Sequence, residues 1–169
     1  HGTTTAPQLI DCEIFEGEKG LVFSEQAQGV VEHCHINHHR LVEVEIRAGS
    51  NPTLRDCTIR DGSADGIQVW QDGRGEIEHC EIYGNSLGVN VSRGANPTIQ
   101  GCRIYNGKLL GIVIQDQGEG TIKDCEIRGN VGPGIAILRA SDPVISGCTI
   151  SDGGNSGILI EEQGRGTIE

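Results

Sequence analysis

The chain is 169 residues long, 36% apolar and 22% charged, with 13 Lys and Arg against 24 Asp and Glu and a formal net charge of -11. That is one domain's worth of chain, and its charge has the wrong sign for a surface that neutralises nucleic-acid phosphates. No apolar run approaches the ~20 residues that cross a bilayer, so neither nucleic acid nor a membrane is expected as a partner.

The first coil sets the pattern for the rest. Leu9, Cys12 and Ile14 are followed by Gly20-Leu21-Val22-Phe23, two stretches of period two whose alternate side chains face one way. The two positions between Leu9 and Cys12 break the alternation and mark a corner. The frame returns around Cys34, Cys57, Cys80, Cys102, Cys125 and Cys148, at spacings of 22 or 23 residues, and takes in all seven cysteines. Position minus three from Cys is always aliphatic, and position plus two is always Ile. The second stretch carries Val44 and Ile46, Ile67 and Val69, Val89 and Val91, Ile112 and Ile114, Ile135 and Ile137, then Ile158 and Ile160. Glycine precedes each of these pairs except at Glu43.

A fixed period of this size signals a solenoid, in which each repeat buries its apolar face against its neighbours. The spacing predicts an all-β parallel β-helix of about seven coils, three short strands per coil, each strand pairing with the same strand one coil on. At one strand spacing per coil it would be about 34 Å long. The consensus of leucine-rich repeats also fits Ile77 to Asn85. The rest of each coil, Gly-Ile-x-Val and a Pro or Gly corner, does not.

The corners come in two alternating kinds. Asn51-Pro52-Thr53, Asn96-Pro97-Thr98 and Asp142-Pro143-Val144 alternate with Gly73-Arg74-Gly75, Gly118-Glu119-Gly120 and Gly164-Arg165-Gly166, so the true unit is a double coil. Proline presets φ and glycine admits positive φ, and both suit corners without ladder bonds. The cysteines form no CxxC pair and have no zinc-type spacing. An odd number in one column reads as buried thiols, which implies a reducing, cytoplasmic setting.

Gly-Ile-x-Val, Asn-Pro-Thr-Ile-x-x-Cys-x-Ile and Gly-x-Gly-Thr-Ile together resemble the right-handed parallel β-helices of the pectate-lyase-like superfamily. Within it they look closest to the non-enzymatic branch, the substrate-recognition β-helix of the F-box only proteins. The likeness covers residues 6 to 169, with residues 1 to 5 an irregular lead-in. It implies one domain, here expected to be a fragment, because the chain stops at Thr167-Ile168-Glu169, partway into an eighth frame.

The superfamily's enzymes act on acidic polysaccharides through clustered outward Asp residues, often with calcium. No Asp-Asp pair, Gly-His-Gly or Arg-Ile-Lys signature appears here. No cofactor and no catalytic residue are therefore expected. Asp11, His33, Asp56 and His79, each just before a Cys, read as an outer column whose opposite partners pair across coils. With His35 near, His33 and His79 form a weaker metal-site alternative.

The middle outward position of the Gly-Ile-x-Val strand turns apolar late in the chain, reading Val22, Glu45, Gln68, Asn90, Val113, Ala136, Leu159. With Trp70 and Leu138 beside it, this suggests a contact surface. Gln68, Trp70, Val113, Leu138 and Leu159 are the expected binding residues. The first functional expectation is a non-catalytic scaffold that binds a protein partner or another part of its own chain. Polysaccharide binding or processing, with Trp70 as a stacking platform, is the alternative, since the resemblance places a substrate groove on this strand. A spacer or self-associating shaft is the third.

Overall fold

The computed structural model of the chain describes residues 6–169, so the lead-in lies outside the described residues. The described chain winds through three parallel sheets with one strand of each per coil. In coil 5, the first sheet takes Thr98–Gln100, the second Arg103–Tyr105 and the third Leu110–Gln115. The first sheet has eight strands and the other two have seven. Registers are strict, with Ile77 beside Leu54 and Ile99, and Ile82 beside Ile59 and Ile104. No helix long and apolar enough to cross a membrane is present among the described residues.

The apolar columns read from the sequence are the interior. Leu54, Ile59, Ile77, Ile82, Ile99, Ile104, Ile112 and Ile122 are among the fully buried side chains, each stabilising the fold by about 1.5–3 kcal/mol. The end coils are looser, and Ile160 and Ile168 are exposed.

The cysteines line the corner between the first and second sheets, and all seven are free thiols. Cys80 Sγ lies 3.3 Å from Glu78 O and 3.7 Å from Leu54 O of the coil before. Burial pushes the Cys34 thiol up, and the neighbouring Cys80 thiol, then burial, do the same to Cys57. Whatever the direction of the shift, Cys34, Cys57, Cys80, Cys102 and Cys125 are at most 2% exposed, and a thiol that a reagent cannot reach does not react. A thiol reagent is therefore expected to label the half-buried Cys12 and Cys148 in the folded chain, and the other five only on unfolding. Rapid labelling of Cys80 would contradict the packing.

Left-handed residues make the corners. The residue before each Cys has φ near +50 to +60°, from Asp11, His33, Asp56 and His79 to Gly101, Asp124 and Gly147. This corrects the pairing account of that column. Asp, His and Gly stand there because they tolerate the left-handed region. Among the described residues, the only ion contact involving its histidines is a loose 3.9 Å between His33 Nε2 and Asp56 Oδ2.

The double-coil alternation has a physical basis at two corners. Glycines 75, 120 and 166, at φ of +137, +134 and +140°, lie on prolines 52, 97 and 143 of the coil before. The next residue then donates to the proline carbonyl, as from Glu76 to Pro52 at 2.9 Å. At the turn from the second to the third sheet, buried Asn85 and Asn130 accept from the backbone N–H of Gly62 and Gly107 one coil below, at 2.9 and 2.8 Å. Coil 2 departs from this. His39 stands in the asparagine column and Glu43 in the glycine column, both buried, with His39 Nδ1 against Glu43 Oε2 and the His39 N–H donating to Glu43 Oε1 at 2.9 Å.

Candidate functional site

The outer face of the third sheet carries the site. Its glycine column points inward. A Cβ at Gly66 would meet Asn85 Nδ2 and Gly88 O at 2.7 Å. That irregularity turns the preceding residue outward, so coil 3 presents Asp65, Gln68 and Trp70. Asn90 and Val113 continue the Gln68 column through the registered pairs of coils 4 and 5. Beyond this face the chain turns through two successive left-handed residues, Arg93-Gly94 in coil 4, Asp116-Gln117 in coil 5 and Arg139-Ala140 in coil 6.

These turns place Arg93, Asp116, Arg139 and Glu162 in one line of alternating charge. Arg139 donates from Nη1 to Asp116 Oδ1 at 3.3 Å and from Nε to Glu162 Oε2 at 3.0 Å. The two carboxylates, Asp116 first, push its pKa further up. Asp72, Arg93, Asp116 and Arg139 line an open cleft of about 600 Å³. A second hollow of about 310 Å³, floored by Gln68, Asn90, Ser92 and Gln115, adjoins it and shares Arg93 and Asp116. Sequence reading missed these charged residues. The signal was present as the alternating Arg93, Asp116, Arg139 and Glu162 at one frame position.

Trp70 is tied to the coils on either side of it. Its Nε1 donates to Glu45 Oε1 at 3.1 Å, and Glu45 is locked to Lys19 Nζ at 2.7 Å. The guanidiniums of Arg47 and Arg93, from the coils on either side, lie over the ring at 5.8 and 5.2 Å. The indole therefore braces Arg93 beside the cleft by cation–π attraction.

Of the other expected binding residues, Gln68 gathers with it and the rest do not. Gln68 lines the smaller hollow with Trp70, but Val113 is only 5% exposed, and half-buried Leu138 and Leu159 lie farther along. His33 and His79 occupy corners two coils apart and His35 a strand of the second sheet. Among the described residues no group of three or more His, Cys, Asp or Glu is arranged to hold a metal. Asn90, which begins a glycosylation-type Asn-Val-Ser, is buried and donates from Nδ2 to Asp65 Oδ2 at 2.9 Å.

Burial pushes the Asp65 carboxyl above the usual carboxylate value, against the opposing pull of Asn90. A raised carboxyl favours the fold when protonated. That contribution is complete below the ordinary pKa and is lost as pH rises through the raised one. Asp65→Asn is therefore expected to raise the melting temperature at neutral pH and leave it nearly unchanged in acid. Equal shifts at both pH values would contradict this.

No curated protein matches the chain by sequence. Several solved structures share its fold, three of them as follows. A mutant of the periplasmic alginate epimerase AlgG superposes with a TM-score of 0.80 at 15% identity over 92% of this chain and 38% of its own. The A-module of the Azotobacter vinelandii mannuronan C-5 epimerase AlgE6 gives 0.75 at 18% over 96% and 56%. Pectate lyase Pel9A gives 0.65 at 14% over 90% and 51%. The chain thus spans between about four tenths and somewhat over half of these proteins.

They are named as two epimerases and a lyase of polysaccharides, and none supports the expected relation to the F-box branch. The expectation of a protein-binding scaffold is corrected accordingly. The apolar column that was to receive a partner is largely closed, with Val113 and Ala136 buried, and the open part of the face is a polar, charged cleft. A family model described as the right handed beta helix region matches residues 1–142 and 44–169, the whole chain between them, and the chain belongs to that family.

Proposed function

We propose that the chain binds a polysaccharide along the outer face of its third sheet, with acidic sugars at the charged cleft. The observation that carries this reading is the cleft of Arg93, Asp116 and Arg139 opening onto a floor of amides and a hydroxyl. One such group per coil, spaced ~4.8 Å apart, suits a polymer whose repeat is about one pyranose ring. The indole holds Arg93 and leaves its N–H groups for a carboxylate or hydroxyl oxygen. The similar solved structures, named for alginate, mannuronan and pectate, support the same class of ligand.

Affinity electrophoresis through gels cast with alginate, pectate or a neutral glucan tests it. The acidic polymers are expected to retard the chain, less so at high salt, since exposed charges are screened. Arg93→Ala with Arg139→Ala should weaken retardation at least about tenfold, because hydrogen bonds to charged groups contribute about 1.5–3 kcal/mol each. Unchanged mobility in every gel would overturn the reading.

A further inference from the structure

A single run of hydrogen bonds crosses the outer face of the third sheet diagonally, rising one coil at each step. Asn90 Nδ2 donates to Asp65 Oδ2 at 2.9 Å, Gln115 Nε2 to Asn90 Oδ1 at 3.2 Å, and Arg139 Nη1 to Gln115 Oε1 at 3.3 Å. Arg139 then reaches Asp116 and Glu162. The run begins at one margin of the sheet and ends in the charged cleft at the other.

The chemistry of its ends fixes the direction of everything between. An ionised carboxylate only accepts, and a guanidinium only donates. Asn90 and Gln115 must therefore turn their nitrogens toward Asp65 and their oxygens toward Arg139. Each amide keeps one further N–H, so the floor of the smaller hollow presents donors. With an apolar side chain at position 65, the Asn90 amide loses its anchor and can turn over. Its nitrogen then faces the Gln115 nitrogen, and Gln115 releases Arg139.

We propose that Asp65 is a positioning residue for the cleft, acting through Asn90 and Gln115 on the Arg139 guanidinium. Its effect on ligand affinity rests on the polysaccharide reading, whereas the relay itself does not. The charged groups around Asp65 have other partners, and Lys108, reaching from coil 5, donates to Gly62 O at 3.2 Å. Glu45 and Lys19, on the strands of coils 2 and 1, are paired with each other at 2.7 Å. Glu43 points inward to His39, Asp61 is held by Arg60 at 2.6 Å, and the coil 4 strand Leu87–Ser92 has no charged residue. Burial, with its upward push on the carboxyl, brings the titration of Asp65 above that of an ordinary aspartate.

The test follows the side-chain NH2 resonances of Gln115 by NMR during a pH titration, alongside the Asp65 carboxyl carbon. In the wild-type chain the Gln115 resonances are expected to move with the Asp65 midpoint. In Asn90→Val, which breaks the run but suits a column already holding Val22 and Val113, that response should vanish. Gln115 resonances that ignore Asp65, or that follow it equally in Asn90→Val, overturn the proposal. In pectate gels Asp65→Leu should weaken retardation about threefold to tenfold, while Asp65→Asn, whose amide oxygen still accepts from Asn90, should restore it. Retardation of Asp65→Leu equal to wild type, with Arg139→Ala impaired, also overturns it. If the NMR coupling holds but no polymer retards the wild-type chain, the positioning relay stands and only the polysaccharide reading fails.

Discussion

Replacing Glu43 by alanine is expected to lower folding stability by about 2–4 kcal/mol, because the buried backbone N–H and ring nitrogen of His39 lose their shared partner and each buried polar group left unsatisfied costs about 1–3 kcal/mol. His39→Asn with Glu43→Gly is expected to recover most of that loss. Both side chains are essentially inaccessible and bonded to each other, so Glu43→Ala leaves the imidazole of His39 without its acceptor in a dry interior. The double replacement instead gives coil 2 the asparagine and glycine that coils 4 and 6 use at the same corner. The introduced asparagine could then take the backbone N–H of Gly17, as Asn85 takes that of Gly62. Urea unfolding followed by circular dichroism checks both. A double variant no more stable than Glu43→Ala would show that coil 2 needs the pair for more than filling the corner.

Gly88→Val is expected to abolish cooperative folding. A Cβ at position 88 would lie 2.5 Å from Gly111 O and 2.5 Å from Ile104 Cγ2. The first of these is backbone held in the third-sheet ladder, so relief requires prying coils 4 and 5 apart. Forcing extra atoms into such a contact belongs to the few mechanisms that exceed about 4 kcal/mol. Gly153→Ala is the control, because its Cβ would meet nothing nearer than 3.7 Å and should change stability by less than about 0.5 kcal/mol. A native-like melting curve for Gly88→Val would mean that the inward glycine column is misassigned.

The interior was legible because it repeats in phase with the chain. Leu54, Ile77, Ile99 and Ile122 share one frame position and one sheet, and period two told inside from outside. Asp65 defied that rule because the inward glycine after it puts two successive residues, Gly66 and Ile67, on the interior side. The corner residues misled for another reason. Asp56, His79 and Gly101 share tolerance of a left-handed backbone, a property that neither charge nor hydropathy displays. The polar run from Asp65 to Glu162 links residues 25, 25, 24 and 23 apart. Most of those steps exceed the repeat, so the run slips sideways from column to column and no single column contains it.

The alternating corners also limit how such a protein can change length. Pro52 is shaped to receive the glycine of the coil above it, and Gly62 to receive an asparagine from that same coil. Coils 3 and 5 therefore each carry two sockets that coils 4 and 6 fill. Excising one coil would set two odd or two even coils face to face, with a proline where a glycine belongs and a buried N–H without its amide. Excising or duplicating 45 or 46 residues would leave every joint matched. The heritable brick of this wall is the pair of coils, and variants of the chain should differ in length by whole pairs.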